Sequence, residues 1–306
     1  MDLIIAIIMV GCGCCLALAA GAAVVSRGSH PATRTAQGLG VAVLALYLVF
    51  LWDQPLLATL LPFSSLIILS NWLPVLGSFF VGIYLSTGSV SVTRRRIVSG
   101  LTVCLAAYSV VAPTFGHPPE CSDRPAVAGL QHQSTPFTCS AACAASLLKL
   151  HGIPASENEM ADLCLTRQGT HWMGVYRGLM LKTAGTGWTV KVESFSPNDL
   201  RELKTQPAVI SLNVDTSGIP NHIDHGFHDA VGHSVLSLGS PGDTLLSVFD
   251  PSPDFGLEVW GDALLQHVSS GVVLRLVPEN PEIAVKIDIP RNIAAAQRER
   301  WLAAGL

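Results

Sequence analysis

Four hydrophobic stretches, each about as long as a membrane-spanning helix, occupy the first third of the chain. They run from Leu3 to Val25, from Leu39 to about Leu61, from about Ser65 to Tyr84 and from Ile97 to Pro113. A helix needs about 20 apolar residues to cross a bilayer, so the pattern predicts four spans. Polar residues and prolines interrupt the middle two stretches, which leaves a three-span arrangement open; they are Asp53, Pro55, Asn71 and Pro74.

Basic residues between the stretches predict the orientation of the spans. Arg27 and Arg34 follow the first stretch, and the run Arg94 to Arg96 precedes the last. Lys and Arg favour cytoplasmic loops, and four spans put both loops on the cytoplasmic side. The amino terminus and everything after Pro113 are then outside the cytoplasm, so we expect an integral membrane protein with an outward-facing domain.

The first stretch has two alternative interpretations. Val10, Gly11 and Cys12 look like a short lipobox, but no basic region precedes them and three more hydrophobic stretches follow, which favours a retained span. The cluster of Cys12, Cys14 and Cys15 fits helix packing better than a metal site, because one helical face cannot present all three thiols to one ion.

Composition separates the chain into two parts. It is 49% hydrophobic and only 13% charged, where a soluble domain has about 25% charged residues. From Met1 to Pro113 the only acidic residues are Asp2 and Asp53. The net charge of −4, with no basic run longer than three arginines, gives nucleic acid little to bind. We therefore expect a lipid bilayer as partner and no nucleic acid.

These features predict four segments along the chain. Residues 1–114 form the transmembrane region, residues 115–128 a linker rich in proline, residues 129–278 a folded domain, and residues 279–306 a tail. In the tail, the apolar residues between Ile293 and Leu302 are set among charged ones, which predicts an amphipathic helix that docks on the domain or the membrane surface.

A cysteine stands where a polar loop opens into an apolar helix. The loop runs from Gln131 to Thr138, and Cys139 begins a stretch rich in alanine and leucine. Unpaired N–H groups and the helix dipole at such a position lower the pKa of a cysteine. Cys139 is therefore the candidate nucleophile, although a lone cysteine is more often a buried structural residue.

Two predicted strands supply partners for this thiol. Gly232 to Leu238 reads as a strand that begins near His233, and Leu245 to Phe249 as a second strand that ends at Asp250. The intervening Gly239 to Asp243 is typical of a hairpin turn. Antiparallel pairing brings His233 and Asp250 together, so that the carboxylate orients the imidazole as a general base.

This half of the chain resembles the bacteriocin-processing, double-glycine family of papain-like cysteine peptidases. The family pattern is a Gln six residues before a helix-opening Cys, small residues and a second Cys after it, a His-led strand and an Asp-Pro. The matching positions are Gln133, Cys139, Ala142, Cys143, His233, Asp250 and Pro251. A middle stretch from Gly169 to Leu179 is also similar to the family, where a helix precedes the strands.

The resemblance implies an α+β papain-like fold over about Leu130 to Val277. Cys139 would be the nucleophile, His233 the base and acid, Asp250 the orienting group, and Gln133 the side-chain donor to the oxyanion. The sequence departs from the family at Ser140, where glycine is usual, and at Thr138, where an acidic residue is usual. No phosphate-binding loop follows, so the form fused to an ATP-driven transporter is not implied.

Other candidate sites compete with this interpretation. A cluster of histidines and aspartates could bind zinc, or could be a solvated loop or a flap; its members are His222, Asp224, His225, His228, Asp229 and His233. Gln131 is an alternative oxyanion donor, but it lies eight residues before Cys139. A disulfide between Cys121 and Cys164 is conceivable in an oxidising exterior.

Taken together, these observations predict a membrane-anchored cysteine peptidase that acts on a secreted or membrane-bound peptide or protein without a cofactor or a metal. A non-catalytic peptide-binding module on the same fold is the main alternative. A scaffold or transporter part is a weaker one, because Asp53 is the only acidic candidate within the spans.

Overall fold

Long apolar helices form the first part of the chain. The computed structural model describes residues 1–87, 91–125, 129–195, 206–214, 232–242, 245–280 and 293. They belong to two compact units, Met1–Phe115 and Gly116–Leu306. The first unit contains α1 (Asp2–Arg27), α2 (His30–Phe50), α3 (Leu56–Leu60), α4 (Leu66–Leu69), α5 (Leu73–Ser86) and α6 (Val92–Val111), followed by a 3₁₀ turn at Ala112–Thr114.

Four helical stretches in the described residues are long and apolar enough to cross a membrane. They are Asp2–Arg27, His30–Phe50, Leu66–Ser86 and Val92–Thr114. Their number matches the predicted four stretches.

The predicted bounds of the second stretch are wrong. The helix runs over His30–Phe50 rather than from Leu39 to about Leu61. Pro31 in its first turn favours an earlier start, because proline suits the first helical position. The helix ends at Phe50, Asp53 beyond it has a positive φ of 58°, and Leu56–Leu60 forms a separate short helix.

The predicted interruption of the third stretch is present. Asn71 lies between α4 and α5, and its Nδ2 donates to the carbonyl of Ser109 on α6 at 3.1 Å. The amide nitrogen of this polar side chain thus has a partner within the unit, which offsets part of the cost of burying it.

Helices α1 and α5 cross with their backbones in contact at two glycines. A Cβ on Gly21 would lie 2.1 Å from the carbonyl oxygen of Phe79, and a Cβ on Gly82 would lie 2.1 Å from that of Leu18. The contact is reciprocal, since each glycine faces the backbone three residues before the other. Small residues at such positions let apolar helices pack closely.

The second unit is an antiparallel sheet with helices. Its sheet order is β3-β8-β4-β5-β6-β7. The strands are β1 (Arg124–Pro125) and β2 (Gln131–His132), which pair separately, then β3 (Trp188–Phe195), β4 (Ala208–Val214), β5 (His233–Gly242), β6 (Leu245–Asp250), β7 (Gly256–Trp260) and β8 (Val268–Pro278). The helices are α7 (Cys139–Leu150), α8 (Glu157–Leu163), α9 (Trp172–Thr183) and α10 (Asp262–Leu265).

Helix α7 is the central helix of this unit. Every residue from Ser140 to Leu148 is buried, which fits a helix that is apolar on all sides. It packs against β5, β4 and α9. The predicted hairpin is also present, because β5 and β6 are antiparallel neighbours, with Leu236 opposite Phe249. The tail after Asn280 lies outside the described residues apart from Ile293.

We expect Gly82→Ala to destabilise the first unit by about 1–3 kcal/mol, the usual cost of overpacking. The new methyl group would collide with the backbone of α1, which a rotamer change cannot relieve. Unfolding in detergent micelles measures this change. Gly77→Ala on the same helix is the matched control, because its Cβ would have nothing within 4 Å. Equal stability of the two variants would contradict the close crossing.

Candidate active site

A turn closed by hydrogen bonds places Cys139 at the first position of α7. The N–H of Thr135 donates to Oγ1 of Thr138 at 3.2 Å, and that hydroxyl donates to the carbonyl of Thr135 at 3.1 Å. Thr138 is fully buried, whereas Cys139 is partly exposed. The turn therefore fixes the start of the helix and leaves the thiol within reach of a substrate.

His233 is the first residue of β5, and its imidazole lies beside the carboxylate of Asp250, the last residue of β6. Its Nε2 lies 2.9 Å from Oδ2 of Asp250, and both side chains are buried. The other carboxylate oxygen, Oδ1, accepts the backbone N–H of Ser252 at 2.8 Å. Because Asp250 is held at both oxygens, it in turn holds the plane of the imidazole.

The Cys139 thiol and the His233 imidazole are joined by a side-chain hydrogen bond. Since Nε2 faces Asp250, the remaining ring nitrogen, Nδ1, is the one left for the thiol. The three side chains thus form a chain from thiol to imidazole to carboxylate. This is the arrangement needed for a nucleophile, its base and an orienting group.

Charges at the site favour a thiolate next to an imidazolium. Burial alone raises the pKa of Cys139, but the hydrogen bond and charge of His233, with donors on Ser234 and Ser140, lower it overall. Burial lowers the pKa of His233, whereas hydrogen bonds to Asp250 and Cys139 and their charges raise it to about 10. The lowered pKa of Cys139 and the raised pKa of His233 both favour the ion pair over the neutral thiol and imidazole.

Gln133 lies on the loop before the helix and is tied to the same strand end as Asp250. Its backbone N–H donates to the carbonyl of Pro251 at 2.7 Å, and its Nε2 donates to the carbonyl of Thr135 at 3.1 Å. A side-chain amide nitrogen carries two N–H groups, so this bond uses one of them. The second can serve an oxyanion.

Gln131, the alternative donor, has a structural position. It is 2% exposed, and its Oε1 accepts Nζ of Lys149 at 2.8 Å. Its backbone N–H donates to Oγ of Ser146 on α7 at 2.8 Å. These bonds attach β2 to the middle of α7, away from the first turn that carries the thiol.

A buried carboxylate that no sequence pattern predicted supports the loop. Glu157 is fully buried, and its Oε1 accepts the backbone N–H of Ser134 at 2.7 Å. The residue next to Gln133 is therefore anchored to α8. No local pattern pointed to this bond, because Glu157 reads as an ordinary acidic residue in the first turn of a helix.

Two serines beside the catalytic candidates were also missed. Oγ of Ser140 lies 2.8 Å from Oγ of Ser234, and both residues are buried. The thiol of Cys143 donates to the carbonyl of Ser234 at 3.4 Å. Ser140 was identified only as a departure from glycine, and its partner follows His233.

The remaining candidate sites have different outcomes. His222, Asp224, His225, His228 and Asp229 lie outside the described residues. Within the described ranges, no group of three His, Cys, Asp or Glu side chains could hold a metal ion. All eight cysteines are described and are free thiols, Cys121 and Cys164 included. Burial raises the pKa of Cys164 to about 12.

Comparison with known proteins finds similarity only among solved structures. No protein-family profile matches the chain, and no curated protein does. The peptidase domain of Streptococcus ComA, a bi-functional ABC transporter involved in a quorum-sensing pathway, is 20% identical with a TM-score of 0.36. The match covers 48% of this chain and 96% of that peptidase domain. The peptidase domain of Streptococcus mutans ComA is also 20% identical, with a TM-score of 0.32, and covers 48% and 97%.

Membership in the bacteriocin-processing family stays a prediction. Because both TM-scores are low, we base the function on the geometry of the site.

We expect alkylation of Cys139 by iodoacetamide to continue well below pH 8.5, the approximate pKa of an ordinary thiol. The thiolate is the reactive form, so a lowered pKa keeps the rate high until the pH falls through that lowered value. In His233→Ala burial dominates and the pKa rises, and the rate at pH 7 should fall about tenfold or more, since one pKa unit is a factor of ten. Peptide mass spectrometry resolves the labelled site.

Cys143 serves as an internal control for this measurement. It lies one turn along the same helix, but burial and the charges of Cys139 and Asp250 raise its pKa, so it should stay unlabelled in the folded chain. An ordinary thiol profile at Cys139, unchanged in His233→Ala, would contradict the ion pair.

Proposed function

We propose that this protein is a membrane-anchored cysteine peptidase that cleaves a peptide or protein precursor at the membrane surface. The observation that carries the proposal is the hydrogen-bonded series Cys139, His233 and Asp250, with His233 Nε2 2.9 Å from Asp250 Oδ2. The thiol is the only member of this series that is partly exposed. A nucleophile at the surface with a buried base behind it suits attack on a substrate carbonyl.

Acylation begins with the thiolate. Cys139 Sγ forms a bond to the carbonyl carbon of the scissile amide, and the carbonyl electron pair moves to oxygen. The imidazolium of His233 then gives its Nδ1 proton to the amide nitrogen, the C–N bond breaks, and the amine product leaves. The acyl group remains on Cys139 as a thioester, and His233 is neutral.

Deacylation returns the site to its starting charge state. Neutral His233 removes a proton from a water molecule, whose oxygen bonds to the thioester carbon. Collapse of this second tetrahedral species expels Cys139 as a thiolate, and the product acid is released. Asp250 keeps its charge throughout and stabilises the imidazolium each time it forms.

Two groups are suited to binding the oxyanion. The first N–H groups of a helix have no acceptor within the helix, so the backbone N–H of Cys139 can donate to the developing charge. The second N–H of the Gln133 side chain is the other candidate. Glu157 and Pro251 hold the backbone of this loop on either side of the amide, which limits its reorganisation during the reaction.

We propose that the peptidase unit lies outside the cytoplasm of a bacterial cell and that the first unit anchors it in the plasma membrane. Four apolar helical stretches support an even number of spans, and the arginine runs support cytoplasmic loops between them. A tethered enzyme meets substrates that are secreted or bound to the membrane. Cleavage after a double glycine is an expectation from the family resemblance alone.

We expect Cys139→Ala to abolish cleavage of an internally quenched peptide library carrying Gly-Gly in detergent-solubilised full-length protein. Asp250→Asn should lower kcat by roughly 10³–10⁴-fold, because the imidazole loses its orienting charge. Steady-state kinetics on each variant measure these effects. Cys104→Ala, an exposed thiol in the first unit, should leave cleavage unchanged.

The two glutamines provide a matched comparison in the same assay. Gln133→Ala should reduce kcat by about 10²–10³-fold through loss of an oxyanion donor. Gln131→Ala should lower stability instead, since its amide bonds Lys149. Activated Cys139 without cleavage of any peptide would favour the peptide-binding module.

We expect a reporter active only outside the cytoplasm, such as alkaline phosphatase fused after Leu306, to be active in cells. Four spans with cytoplasmic arginine loops require this sidedness. The same fusion to a reporter active only in the cytoplasm is the control. Activity of the cytoplasmic reporter alone would contradict the outward orientation.

A further inference from the structure

A buried serine follows the proposed nucleophile, another follows the proposed base, and the two serines contact each other. Ser140 follows Cys139 in α7, and Ser234 follows His233 in β5. Their hydroxyl oxygens are 2.8 Å apart, and each residue is 2% exposed. The contact joins the helix to the strand at the level where the thiol meets the imidazole.

The number of protons and lone pairs on each hydroxyl fixes which serine donates and which accepts. A serine hydroxyl has one proton to donate and two lone pairs that accept. The Ser140 side chain also bonds the sulfur of Cys139, and a thiolate can only accept. The Ser140 proton therefore goes to the sulfur, and the Ser234 proton goes to Ser140.

Backbone contacts of Ser234 strengthen the same connection. Its N–H donates to the sulfur of Cys139, and its carbonyl accepts the thiol of Cys143 at 3.4 Å. Three groups of one strand residue thus bond to the first two turns of α7. The side chain, the N–H and the carbonyl of Ser234 are therefore all held by α7.

We propose that Ser140 and Ser234 are positioning residues that form a hydroxyl relay, Ser234 to Ser140 to the Cys139 sulfur, which holds the nucleophile as a thiolate opposite His233. Its role in a reaction rests on the function proposed above. The relay itself acts on the protonation of a thiol and can be measured without a substrate. Each bond to a charged sulfur is stronger than one between neutral groups.

Other ionisable groups also face this sulfur and bound what the relay contributes. They are His233 on β5 and Cys143 on α7, while Asp250 at the end of β6 acts on His233. None of them is altered by a change at either serine. A change in the pH dependence of Cys139 would therefore report the hydroxyls.

The test is the rate of alkylation of Cys139 by iodoacetamide, measured against pH for full-length Ser140→Ala, Ser234→Ala and the double variant. Ser140→Ala should move the midpoint to higher pH and slow labelling about tenfold below it, the usual effect of one hydrogen bond to a charge. Ser234→Ala should give a smaller shift. The double variant should match Ser140→Ala, because both changes break one relay.

Two control variants separate the relay from packing. Ser234→Thr keeps the hydroxyl and should keep the profile. Ser247→Ala removes another buried hydroxyl of the sheet, one that has no hydrogen-bond partner, and should leave the profile unchanged. Cys164 is buried, so its labelling would show that a variant has unfolded. If Ser140→Ala unfolds, the Ser234→Ala result decides alone, since that variant keeps Ser140.

An unchanged profile in both folded single variants would overturn the relay while leaving the proposed peptidase intact. Additive shifts in the double variant would also overturn it, because two independent bonds are not a relay. Failure of the proposed function has a different outcome, in which wild-type Cys139 itself shows an ordinary thiol profile.

Discussion

A thiolate and an imidazolium stabilise each other most where both groups are held in place and partly shielded from water. Here Cys139 is held by a helix start and His233 by a strand start, so their pairing depends on the packing of α7 against β5. The helix is buried from Ser140 to Leu148, and that apolar contact provides the rigidity. The chemistry at one end of the helix is thus a consequence of hydrophobic burial along its length.

Much of this site follows from local patterns in the sequence. A polar loop that opens into an apolar stretch predicts the helix start at Cys139. Alternating strands around a glycine-rich turn predict the hairpin that brings His233 to Asp250. Both are local signals, because helix starts and tight hairpins depend on residues only a few positions apart.

Contacts between distant segments could not be predicted from the sequence. Ser140 and Ser234 are 94 residues apart, and Glu157 meets Ser134 across 23. A serine or glutamate has no periodicity that identifies its partner, so these bonds appear only when the packing is known. The second apolar stretch shows a related limit, since its apolar residues continue past Asp53 although the helix ends at Phe50.

The residue after the nucleophile illustrates how one departure from a pattern requires another. Glycine at position 140 would leave nothing to satisfy, but a serine buried there brings a hydroxyl that costs about 1–3 kcal/mol if it has no partner. Ser234 supplies that partner, and its own hydroxyl would face the same cost if position 140 lacked an acceptor. Each serine therefore makes the other tolerable in the core. Because the Ser140 side chain also bonds the sulfur, the interaction that compensates for burial leaves the Ser140 proton free to point at Cys139.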